Sequence, residues 1–229
     1  MPELMDIAVG GLHFSLRVWR AVDQHKPSTV LLPGTGKTAR DWDVIAAGLC
    51  AERTVYAVDL RGHGASAWPG TYGIKLFAED VVGILEQLDI GTVDLVGHSL
   101  GGLVACVVAA ARPEQVRKLV LEDVGFPHPR PPGLPDRPPG ALPFDWQMVE
   151  QVRPEIDDPD PGWADVVARV TVPTLLIAGG AASPIPQDHI VELADRLANA
   201  RLTTIASGHL VHETVPDEYL KTLIAFLAD

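Results

Sequence analysis

Apolar residues along this chain fall into short runs separated by amphipathic stretches. From Ile7 to Trp19 apolar and polar positions alternate around Gly10-Gly11, which predicts a β-hairpin. Six further β-rich runs follow: Thr29–Leu32, Thr54–Leu60, Val93–Val96, Leu119–Leu121, Thr174–Ala178 and Leu202–Ala206. Most are continuous rather than alternating, as in strands buried on both faces of a parallel sheet. Between them, Asp41–Ala51, Leu76–Leu88, Gln187–Leu197 and Glu218–Leu227 have helical character, and Leu100–Ala111 is apolar almost all round. The alternation predicts an α/β fold: a mostly parallel sheet of about eight strands, opened by the hairpin and covered by helices on both faces.

One segment interrupts the rhythm. Between Val124 and Pro161 lie 11 of the chain's 20 prolines, and runs such as Arg130-Pro131-Pro132-Gly133 exclude regular helix or central strand. Strands of one class continue on either side. Residues 1–229 are therefore expected to form a single domain, with 124–170 an inserted Pro-rich lid.

Composition narrows the function. The net charge of −12 and a pI near 5.0 disfavour nucleic acid and anionic membrane surfaces as partners. No apolar run reaches the roughly 18 residues of a bilayer span. The start, Met1-Pro2-Glu3-Leu4-Met5-Asp6, lacks the basic and apolar regions of a secretory leader, so a cytoplasmic protein is expected. Cys50 and Cys106 have neither disulfide nor zinc spacing.

The most informative motif is Gly97-His98-Ser99-Leu100-Gly101, at a strand-to-helix junction. A G-x-S-x-G there forms a nucleophile elbow. The glycines relieve crowding in a strained turn that lifts the serine hydroxyl above the sheet edge. The helix N-terminus and the Leu100 amide then face the position of a developing oxyanion. Serine needs a base, and His209 follows the last predicted strand at the same carboxyl edge as Ser99. His63 lies on another carboxyl-edge loop.

Together these features resemble the α/β-hydrolase superfamily over nearly the whole chain. Leu31-Leu32-Pro33-Gly34 before Trp42 resembles its oxyanion loop, with Pro33 where histidine is commoner. Val58-Asp59-Leu60-Arg61-Gly62-His63-Gly64-Ala65-Ser66 resembles the turn after its fourth strand. Pro173-Thr174-Leu175-Leu176-Ile177 resembles its seventh strand, and Gly208-His209 with Pro216 its catalytic histidine loop.

The resemblance implies a serine hydrolase with Ser99 as nucleophile, His209 as base and the amides of Thr35 and Leu100 as oxyanion hole. Asp59, Arg61 and His63 are read as structural. The family usually carries its acid after the seventh strand, where this chain has Ser183. Some branches place it after the sixth, and Leu121-Glu122-Asp123-Val124, with Pro127 beyond, resembles those. Adjacent strand residues face opposite ways, so the two are not expected to serve together; the resemblance makes Asp123 the first choice, Glu122 the second and Asp188 a distant third. A Ser-His dyad without an acid stays open.

The expected reaction is cleavage of a small carboxylic ester, thioester or lactone, with a neutral or apolar acyl substrate, no cofactor and no metal. Phe126, Phe144, Trp146 and Met148 of the lid are candidates for the substrate pocket. Two alternatives stand beside it: a carbon–carbon bond hydrolase using the same residues, and a non-catalytic ligand- or partner-binding module. Two motifs are decoys. Gly34-Thr35-Gly36-Lys37-Thr38 looks like a phosphate loop, but Leu31 stands where that motif needs glycine. His209 and His212 alone make a poor metal site.

Overall fold

A computed structural model describes residues 1–228. Its strands are β1 (Glu3–Val9), β2 (Leu12–Trp19), β3 (Thr29–Leu32), β4 (Val55–Val58), β5 (Val93–His98), β6 (Val116–Glu122), β7 (Thr174–Ala178) and β8 (Ala200–Thr204). They form one sheet in the order β1-β2-β4-β3-β5-β6-β7-β8. β1 and β2 pair antiparallel, as do β2 and β4, and every other pairing is parallel. Gly10 and Gly11 close the hairpin at φ 58° and 82°, the paired positive angles of a tight turn matched to strand twist.

The continuous apolar runs now have their explanation. Val30 and Leu32, Leu95, Leu119 and Leu121, and Leu176 feed one core. Their neighbours Leu31, Val96, Val120, Leu175 and Ile177 feed the other. The first core is covered by α2 (Ile74–Leu88), α3 (Leu100–Ala111), α4 (Trp146–Asp157), α5 (Trp163–Arg169) and α6 (Gln187–Arg196). The second is covered by a 3-10 turn (Ala39–Trp42), α1 (Asp43–Leu49), α7 (Val211–Thr214) and α8 (Pro216–Ala228). α3 is apolar all round because β5, β6, α2 and α5 enclose it. No helix among the described residues is long and apolar enough to cross a membrane.

Three expectations shift. β4 stops at Val58 because the Asp59 carboxylate turns the chain, accepting from the amides of Ala39 at 2.7 Å and Ala65 at 2.9 Å. β8 begins at Ala200 and, as the sheet's edge, leaves Leu202 exposed. The short α7, absent from the periodicity, carries the chain from His209 to α8.

Residues 124–170 lie between β6 and β7. The Pro-rich stretch has no regular structure until α4. It is tied down instead by polar contacts. The buried Asp157 carboxylate accepts from Arg130 Nε at 2.6 Å, Arg153 Nε at 2.8 Å and the Gly133 amide at 2.8 Å. Tyr72 donates to Asp145 at 2.7 Å, and the Ile74 amide to Glu155 at 2.9 Å.

Candidate active site

The turn between β5 and α3 holds Ser99 at φ 50° and ψ −118°, a strained backbone for any residue but glycine. The glycines around it are demanded by backbone contact. A Cβ on Gly97 would stand 2.3 Å from the Gly101 carbonyl oxygen, and one on Gly101 2.4 Å from that of Leu32.

His209 follows Gly208, which has φ 88°. Ser99 Oγ donates to His209 Nε2 at 3.0 Å, and His209 Nδ1 donates to Asp123 Oδ2 at 2.6 Å. Because an ionised carboxylate only accepts, the second bond assigns the proton to Nδ1 and leaves Nε2 free to accept. Asp123 is fully buried and sits at φ 51° just past β6. Its other oxygen accepts from the Gly179 amide at 2.8 Å. The Ser183 hydroxyl also donates to Asp123 Oδ2 and accepts from the Ile185 amide at 2.9 Å. Ser183, which stands where the family usually carries its acid, thus bonds to the carboxylate that follows β6.

Glu122 goes elsewhere. Strand alternation sends it to the opposite face, where Oε1 accepts from the His212 amide at 3.0 Å and both oxygens lie 2.8 Å from His212 Nδ1. Asp188 is exposed in the first turn of α6, its carboxylate accepting from the next amide. His212 stacks on Trp42 at 4.0 Å, away from any shared site with His209.

Thr35 and Leu100 both border the cavity beside Ser99. Leu100 opens α3, so its amide has no intrahelical acceptor. The adjoining loop passes close to the elbow: a Cβ on Gly34 would lie 2.6 Å from His98 Nδ1 and 3.3 Å from Ser99 Cβ. The Gly36 amide donates to His63 Nε2 at 3.2 Å, and His63 Nδ1 donates to the Arg61 carbonyl at 3.0 Å. Burial pushes the His63 imidazole down to about 4, so it stays a neutral acceptor. Lys37 of the phosphate-loop decoy pairs with Glu213 at 2.5 Å. Arg61 forms a bidentate pair with Asp80, both contacts at 2.6 Å.

Ser99 opens onto a cavity of about 600 Å³. Of the four lid residues expected there, Phe126 is on its wall and the other three are not. Phe144 packs on Gly36 and His63, with Trp146 against it, and Met148 is fully buried in the core. For Trp146 and Met148 the reason is the register of α4. Its cavity-lining side chains include Val149, Val152, Arg153 and Ile156, the i, i+3, i+4, i+7 positions of one helical face. That spacing was the available signal; aromatic content pointed to Phe126, which is on the wall, and also to Phe144 and Trp146, which are not. Burial pushes the Cys106 thiol up to about 12, consistent with an inert core position.

The sequence profile described as "Alpha/beta hydrolase family" matches residues 29–222. An esterase/lipase-like protein of Haemophilus influenzae is 28% identical over 238 residues, covering 88% of this chain and 83% of its own length. An esterase of Mycobacterium tuberculosis is 43% identical over 126 residues, spanning 54% of this chain and 40% of its own. The crystal structure of a hydrolase from Pseudomonas aeruginosa superposes with TM-score 0.84 at 25% identity, covering 99% of both chains. The protein belongs to the α/β-hydrolase family, as an esterase-like hydrolase.

Proposed function

We propose that Ser99, His209 and Asp123 are the catalytic triad of a serine hydrolase that cleaves a small carboxylic ester, thioester or lactone. The observation that carries this reading is the unbroken hydrogen-bond chain Ser99 Oγ–His209 Nε2, His209 Nδ1–Asp123 Oδ2, at 3.0 and 2.6 Å. Ser99 Oγ attacks the acyl carbon while Nε2 takes its proton, and the carbonyl oxygen becomes an oxyanion facing the amides of Thr35 and Leu100. The imidazolium protonates the leaving alkoxide or thiolate as the acyl carbon's bond to it breaks. A water then repeats the sequence on the acyl-enzyme, releasing the acid and restoring the serine. Asp123 holds the Nδ1–H tautomer and stabilises the imidazolium. No cofactor enters these steps.

Residues 124–170 act as the lid. Phe126, Val149, Val152 and Ile156 on the cavity wall favour a neutral, apolar acyl group. The missing carboxylate after β7 is the one sequence feature that favours a non-catalytic module. Ser183 in that place bonds to Asp123, which supports the enzyme instead.

The test is hydrolysis of p-nitrophenyl acetate, butyrate and octanoate by the native protein and by Ser99→Ala. Turnover should rise from acetate to the longer esters and vanish in the variant. Equal rates in the two proteins would contradict the proposal.

A further inference from the structure

The neighbour of the proposed catalytic acid is a second buried carboxylate that the triad does not use. Glu122 and His212 are both essentially inaccessible. Glu122 takes the His212 amide and imidazole together, at 3.0 and 2.8 Å. The His212 ring is held flat on Trp42, with the His98 ring edge-on at 5.3 Å. His98 Nε2 in turn donates to the His209 carbonyl at 2.9 Å. The four residues His209 to His212 are thereby pinned at both ends, His209 through its carbonyl and His212 through its amide and ring. Burial pushes the Glu122 carboxyl up, but the His98 and His212 rings and the His212 hydrogen bonds outweigh it and hold it below its usual value. A buried carboxylate held by an imidazole is a poor source of net stability compared with apolar packing. Its geometry does supply a fixed distance between the end of β6 and the histidine loop.

We propose that Glu122 and His212 are positioning residues that set the placement of His209 against Ser99 and Asp123. The inference rests on the triad reading. In this arrangement the end of β6 governs His209 twice: Asp123 orients its ring, and Glu122 fixes the backbone that carries it.

The test compares Glu122→Gln, His212→Ala and His212→Asn with the native protein; the asparagine keeps an N–H donor near the place of Nδ1. Thermal unfolding selects conditions under which each variant is folded. Two quantities are then read: kcat and KM for p-nitrophenyl butyrate, and the downfield proton resonance of the His209 Nδ1–H···Asp123 bond without substrate. Glu122→Gln and His212→Ala should lower kcat by up to about 10²-fold, the scale of an ångström misplacement, with KM little changed. Their resonance should shift or broaden, and His212→Asn should recover part of both. If Glu122→Gln does not fold, the two His212 variants carry the comparison. Native kcat and resonance in folded variants, with only the melting temperature lowered, would overturn the proposal. The resonance is read without turnover. A chain that fails to hydrolyse esters would therefore sink the hydrolase reading while the positioning claim is still decided separately.

Discussion

Asp123 accepts three hydrogen bonds, from His209, Gly179 and Ser183. They differ in what they do. The His209 bond fixes a tautomer, so Asp123→Asn should lower kcat by roughly 10³–10⁴. Ser183 only steadies the carboxylate. Ser183→Ala removes a bond to a charged group, worth about 1.5–3 kcal/mol, and should cost far less in kcat than Asp123→Asn. Steady-state kinetics on both variants check the order; an equal or larger loss in Ser183→Ala would contradict it. Ser99 and His209 were legible because glycines and strand ends mark them locally. The offset of Pro127 singled out Asp123, the carboxylate that bonds to His209, whereas strand alternation told only that Glu122 faces the other way. Ser183's bond was not legible, since it depends on how the loop after β7 folds back onto β6. Nor was the Glu122–His212 pair, whose members are 90 residues apart in sequence.

At the scale of elements, the sheet was legible because strands buried on both faces leave continuous apolar runs, and β3, β7 and α3 have the predicted bounds. The edge strand β8 was less so because it is largely exposed, and the short α7 because four residues are too few to establish a helical period. The elbow shows how tightly elements constrain each other. Gly101 lies where a methyl group would strike the carbonyl oxygens of Leu32 and Pro33 at 2.4 and 2.5 Å. Those atoms are backbone, so the end of β3 or the start of α3 must move. Gly101→Ala should therefore destabilise by about 1–3 kcal/mol, the usual range for overpacking. It should also depress kcat, because Ser99 and the Thr35 loop are the parts displaced. Urea unfolding with kinetics on the folded variant tests this; native stability would show that the elbow tolerates the group.

Across the whole molecule, the segment over the cavity contributes few regular elements and depends on a small number of ties. Asp157 is the most connected of them, joining α4 to Arg130 and to the Gly133 amide. Burial pushes its carboxyl up, but the bonds from Arg153, Gly133 and Arg130 prevail and pull it down to about 2 from an ordinary 3.8. A carboxyl depressed on folding stabilises the fold fully above its unfolded value, and that contribution is lost as the pH falls from near 3.8 through about 2. At neutral pH the tie is intact, so Asp157→Asn should loosen residues 127–143 there while the native protein loosens only in acid. Limited proteolysis at neutral pH, with cleavage sites mapped by mass, would show faster cutting in the variant. Identical cleavage would mean that other contacts hold the segment.

The proposed hydrolysis requires that Ser99 be a nucleophile activated by His209. The most direct measurement is mass mapping of the native protein, and of His209→Gln, after treatment with a fluorophosphonate. The predicted result is a single adduct on Ser99 in the native protein and its loss in the variant. No adduct on native Ser99, or equal labelling in both proteins, would contradict it.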